Sequence, residues 1–127
     1  MTTPDGVELL IEWLYPLGEA RSQRPAGAPL PMFVIRRIGG GDDGLTDQGV
    51  YSVHTLAGSE EEAQAEAMRA HYRILSLAPR FGGQQIVNGV YVDKVKTIEG
   101  PKPVDYINGV GRSVGTYRIE LRFTDAG

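Results

Sequence analysis

At 127 residues, 41% hydrophobic and 23% charged, the chain has the length and composition of one globular domain, which we take to span residues 1–127. It has no cysteine, which excludes disulfides, thiolate metal sites and cysteine nucleophiles. A net charge of −3 argues against a dedicated DNA binder, and no apolar run approaches the ~20 residues of a membrane span.

The N-terminus lacks the basic stretch and apolar core of a secretory leader. Charge is uneven along the chain: residues 1–79 carry 6 basic and 11 acidic groups, residues 80–127 carry 7 and 5. Such a split suits identical subunits meeting head to tail, different partners on two faces, or ordinary surface scatter.

In chain order, Val7, Leu10, Ile11 and Leu14 fall at i, i+3, i+4 and i+7, the stripe of an amphipathic helix. Asp5 is its expected N-cap, and Pro16 and Gly18 stop it. A crossing loop rich in Pro and Gly covers residues 18–31. Met32–Ile38 and Gln48–Leu56 read as strands, the second with Tyr51, Val53 and Thr55 on one face. The segment Gly39–Asp47 between them reads as a flexible hairpin tip.

Ser59 opens the strongest helix, with Glu62 three residues on completing a capping box, and Ala63, Ala67, Ala70, Ile74 and Leu77 forming a buried stripe to about Ala78. Small residues in that stripe predict a helix lying close against a sheet. After a Gly82-Gly83 break, Val87–Ile98 reads as a third strand. Gly100-Pro101-Lys102-Pro103 reads as a linker, and Tyr117–Thr124 as a final strand with Tyr117, Ile119, Leu121 and Phe123 on one face. The expected fold is α+β: an antiparallel or mixed four-stranded sheet packed by two helices, in the order α-β-β-α-β-β.

No catalytic, cofactor or metal site emerges. Gly39-x-Gly41-x-x-Gly44 has the letters of a dinucleotide fingerprint, but a strand rather than a helix follows, and Asp42 and Asp43 would repel phosphate. Asp42, Asp43 and Asp47 lack the spacing of a calcium loop. His54 and His71 have no second histidine or cysteine nearby to complete a metal site. No nucleophile elbow supports a Ser/His/Asp triad. The acidic start of the second helix is accounted for by dipole complementation and solubility.

Arg36 and Arg37 are adjacent on a strand and must face opposite ways, so the one on the core side needs a partner or an open rim. Lys94 and Lys96 are expected to share a face with Val90 and Val92, which fits an interface strand or a strand end leaving the core.

The order of these elements resembles the tail terminator (tail-completion, minor tail) proteins of long-tailed, non-contractile bacteriophages. The resemblance is carried by the Val7–Leu14 helix and the Phe33-Val34-Ile35-Arg36-Arg37-Ile38-Gly39-Gly40 strand. The acidic turn, the Val50–Leu56 strand, the Ala/Glu helix and the closing Tyr117–Phe123 strand complete it. It implies a non-enzymatic virion protein of the tail neck, assembled in the host cytoplasm. Six copies would form a ring on the end of the tail tube protein, stop tube growth and dock the head–tail connector. Genomic DNA would pass through the lumen without specific binding.

The interface residues implied are Arg36, Arg37, Gly40, Gly41, Asp42, Asp43, Asp47, Lys94 and Lys96, with the 39–47 hairpin ordering against a neighbour. A neighbouring neck protein such as a head-closure component, and a small ligand-binding or enzymatic α+β domain, are the alternatives.

Overall fold

Asp5 caps the first helix as its sequence requires: Oδ1 accepts from the backbone N–H groups of Val7 and Glu8, at 3.0 and 3.1 Å. In the computed structural model, which describes residues 4–25, 27–79, 85–87 and 89–123, that helix (α1) is Gly6–Leu14 and runs into a 3-10 turn at Tyr15–Leu17. Its buried residues are Gly6, Leu9, Leu10 and Leu14. The inward face is therefore rotated from the expected stripe, taking in Leu9 and leaving Val7 and Ile11 half-buried.

The second helix (α2) is Glu60–Leu75, and the Ser59 hydroxyl accepts from the Glu62 N–H at 3.1 Å. Ala63, Ala67, Ala70 and Ile74 are its buried residues, the stripe its alanine spacing predicts. The two helices meet where Trp13 Nε1 donates to the Arg73 carbonyl at 2.7 Å and the Arg73 guanidinium lies 4.2 Å from the centre of the Trp13 ring.

Six strands form one mixed sheet curled into a half-barrel: β1 (Glu19–Arg21), β2 (Met32–Asp42), β3 (Thr46–Ala57), β4 (Gln85–Val87), β5 (Val90–Ile107) and β6 (Val110–Arg122), in the spatial order β1-β2-β3-β6-β5-β4. Only β1 is parallel to its neighbour, β2; every other pair is antiparallel. The central pair runs from Thr46↔Arg122 to Ala57↔Gly111, so the β2–β3 and β5–β6 turns lie at opposite ends of the sheet.

Both helices cover one face. The core there includes Leu10, Leu14, Phe33, Ile35, Tyr51 and Ile74, with Val92, Tyr117, Ile119 and Leu121 supplied by β5 and β6. A small second cluster, Met32, Val34 and Leu56, is shielded on the opposite face by Ala28 and Leu30. Tyr117, Ile119 and Leu121 are buried and alternate with Arg118, Glu120 and Arg122, as period-two patterning dictates.

The four-stranded expectation is corrected to six strands in the order α-β-β-β-α-β-β-β. The two added strands, β1 and β4, are three residues each, too short to show a period. The larger error lies in Gly100–Pro103, which is not a linker but part of the 18-residue β5. Beyond Val92 the outer edge of β5 has no partner among the described residues, so the missing N–H groups of Pro101 and Pro103 cost little there. Register shifts around Glu99, Lys102 and Asp105 absorb the irregularity.

The Asn108-Gly109 pair, both residues at positive φ (51° and 76°), closes β5 onto β6 as a two-residue hairpin. Gly39–Asp42 likewise belongs to β2 and Thr46–Asp47 to β3, so the tip is shorter than expected. The helix ends at Leu75 rather than Ala78, while Leu77 remains buried. Gly82, Gly83 and Thr124 lie outside the described residues.

Candidate assembly surfaces

Arg36 and Arg37 do face opposite ways. Arg37 lies opposite Tyr51 on the helix side and forms a two-pronged pair with Asp47: NH1 to Oδ2 at 2.7 Å and NH2 to Oδ1 at 3.0 Å. Asp47 is buried, its side chain 3% exposed against 35% for Arg37. The hydrogen bond to Asp47 is the first cause holding the Arg37 guanidinium above its ordinary pKa. Beside it, burial pushes the Tyr51 phenol up to about 12. This cluster is an internal strut of the hairpin.

The tip is organised by its own aspartates. Asp42 Oδ1 accepts from Gly44 N at 3.0 Å, and Asp43 Oδ1 accepts from Leu45 N and Thr46 N at 2.9 and 2.7 Å. Those backbone bonds lower the Asp43 pKa. Gly40 sits at φ +95°, where a Cβ would fall 2.0 Å from the Gln48 carbonyl oxygen, whereas Gly41 has open space around it. Gly40, Gly41, Asp42 and Asp43 are thus together at one end of the sheet. Arg36, Lys94 and Lys96 are on the face without helices, Lys94 in the row of Glu120, Gln48 and Gly41.

The register of β5 shifts between Val92 and Lys94. Val92 pairs with Leu121 and faces the core, while Lys94 pairs with Glu120 and Lys96 with Arg118 on the open face. The expectation that these lysines share a face with Val92 is corrected by this one-residue bulge, which flips the alternation. The displaced Asp93 carboxylate receives Arg122 NH2 at 2.6 Å.

Two surface features are not foreshadowed by any local sequence pattern. The first is a cavity of about 390 Å³ lined by Gln23, Arg24, Val34, Arg36, His54, Leu56 and Arg112. The residues come from the 22–31 loop and three strands, a juxtaposition that linear spacing does not reveal. Arg112 NH1 approaches His54 Nδ1 at 3.3 Å, and the Arg112 Nε is buried without a hydrogen-bond acceptor, an Asp105 oxygen standing 3.9 Å away. Burial, then the charges of Arg112 and Arg36, lower the His54 pKa.

The second is the outer half of β5, where Ile98, Val104, Tyr106 and Ile107 are each more than half exposed. That strand edge and the edge of β2 beyond Val34 are both unpaired among the described residues.

His71, mid-helix in α2, is also held low by burial, and its Nδ1 lies 2.9 Å from the Tyr117 hydroxyl. Both histidines therefore resist protonation more in the folded chain than in the unfolded one, where the pKa is about 6.5. The unfolded state binds more protons below that pH, so stability is fully present above about pH 6.5 and declines as the pH falls through the lowered folded values. Thermal denaturation between pH 7.5 and 5.5 should show this decline, and the His54→Gln/His71→Gln double variant should flatten it. An identical slope in the variant would refute the assignment.

No family model and no curated protein matches the chain. Among solved structures, it is similar to a chain from the virion of a native gene transfer agent (GTA) particle, with a TM-score of 0.56 at 11% sequence identity. The match covers 91% of this chain and 85% of that one, so nearly all of the half-barrel and its helices is a fold that a virion component also has.

Proposed function

We propose that this chain is a structural protein of a phage-like virion, and within it the tail terminator: a ring that sits on the end of the tail tube, stops its growth and offers the connector a docking surface. The observation that carries the reading is the fold likeness to a GTA virion chain over nearly its full length. The arrangement of the sheet adds to it. A ring needs two different complementary patches on each subunit. The half-barrel offers two unlike free edges, that of β2, bearing the glycine-rich arm, and that of β5, bearing exposed Ile98, Val104, Tyr106 and Ile107.

Pro101 and Pro103 limit a continuous backbone ladder on the β5 edge, so contact there relies on side chains. In this reading the protein is not an enzyme, needs no cofactor, and acts at the tail neck.

Native mass spectrometry over a wide concentration range, followed by mixing with polymerised tube protein, tests it. The expected result is a closed oligomer of six without a larger open series, and tubes whose length stops increasing once it is added. Leu45→Ser at the exposed tip, which leaves the rungs and the Arg37–Asp47 pair in place, should preserve the fold and weaken capping. A protein that stays monomeric and leaves tube growth unchanged would overturn the proposal.

A further inference from the structure

The open face of the sheet carries a charge opposite to that of the chain. Cross-strand register places Arg36, Lys94, Lys96, Lys102, Arg112 and Arg118 on it against Glu99, Asp105 and Glu120, a local surplus of three positive charges on a protein of net charge −3. The carboxylates are already engaged: Glu99 with Lys102, Asp105 with Arg112 and Glu120 with Arg118. Arg36 has no such partner among the described residues, and Arg24 reaches only the Ala28 carbonyl, at 3.5 Å. Arg24, Arg36 and Arg112 all line the cavity, and no carboxylate is among its lining residues, Asp105 standing 3.9 Å from the Arg112 Nε beside it. The buried, unaccepted Nε–H of Arg112 is a donor awaiting an acceptor.

We infer that this face is a sequence-independent binding surface for the phosphate backbone of double-stranded DNA, with the Arg24–Arg36–Arg112 cavity as its anchoring phosphate site. Its make-up decides between DNA and a protein partner. Protein interfaces concentrate aromatic residues and shed charge at their centre. Here the aromatic contribution is Tyr91 at the margin, under the Arg122 guanidinium at 5.3 Å, while Arg112 and Arg118 of β6 stand between Arg36 of β2 and Lys94 and Lys96 of β5. That is the polar, positive character of a nucleic-acid interface. No side chain is placed to read base edges, so affinity comes from counterion release and varies steeply with salt. The inference deepens the proposed function by assigning the surface that DNA would meet in the ring, yet it concerns a property of the isolated chain.

Fluorescence anisotropy with a labelled 20-base-pair duplex, titrated from low to physiological salt, tests it. Wild type is expected to bind at low salt with a dissociation constant on the order of 10⁻⁴ M or tighter, indifferent to sequence. Arg36→Gln/Arg112→Gln should weaken binding at least tenfold and make the logarithmic salt dependence shallower by about 2. Lys94→Gln/Lys96→Gln, at exposed positions that leave packing untouched, should weaken it to a lesser degree, and Glu60→Gln/Glu61→Gln on α2 should not.

Absence of binding at low salt, or equal binding by the arginine variant, overturns the inference. So does loss of self-association in that variant with DNA affinity intact, which would make the face a contact for a second copy. DNA binding without ring formation would uphold it while the capping role fails; capping rings indifferent to DNA would do the reverse.

Discussion

Arg37→Ala is expected to destabilise the fold by about 3–5 kcal/mol, more than Asp47→Ala, although Arg37 is the more exposed partner. The order follows from what each deletion leaves behind. Without Arg37, the Asp47 carboxylate, 2% exposed, is left without its cation in a site whose other polar neighbour is the Tyr51 phenol, its pKa already raised by burial and the Asp47 charge. Without Asp47, the partly exposed guanidinium can turn toward water, and the loss falls to about 1–3 kcal/mol. Removing both should cost less than Arg37→Ala alone. Urea denaturation of the two single variants and the double variant measures the coupling directly. Equal losses from the two single variants would show that Asp47 reaches solvent once its partner is gone.

This pair also shows what the sequence could and could not reveal. Adjacent arginines on a strand establish that one must face the core side, because the side-chain period is two. They do not say which, nor that its partner stands ten residues on, across a hairpin whose rungs extend through Gly39–Asp42. Glycine-rich composition masked those rungs: a propensity for turns was overruled by pairing with β3, a tertiary effect that local patterning does not carry.

The same holds for Pro101 and Pro103, which read as punctuation unless the strand is known to be an edge. The strongly periodic elements were legible: both N-caps, the alanine stripe and the apolar face of β6 appear as patterned. The Asn108-Gly109 dipeptide is itself a hairpin signal, and it closes β5 onto β6. The basic cavity was not legible at all, because Arg24, Arg36 and Arg112 are brought together only by the β2–β3–β6 adjacency and the loop that folds across it.

A close backbone approach between α2 and the sheet sets the other large expected effect. A Cβ built on Gly111 would lie 2.5 Å from the Ser59 carbonyl oxygen, 2.6 Å from its carbon and 2.8 Å from the Glu60 nitrogen. All three are backbone atoms at the start of α2, so no flexible side chain can swing aside. Gly111→Ala must push the helix start off β6, where it overlies the Ala57↔Gly111 rung, and disturb the Ser59 cap. Overpacking of about 1–3 kcal/mol and a cap worth about 1 kcal/mol together predict a loss of about 3 kcal/mol.

Ala67→Leu, one helical segment further along the same contact, should cost about 1–3 kcal/mol for the same reason. Gly100→Ala serves as the control: nothing lies within 4 Å of its added Cβ, and its effect should stay within about 0.5 kcal/mol. Denaturation midpoints of the three variants separate tight packing from a general intolerance of glycine replacement. If Gly111→Ala proved as mild as Gly100→Ala, α2 would have to be free to shift on the sheet, and its small-residue stripe would no longer be what fixes its distance.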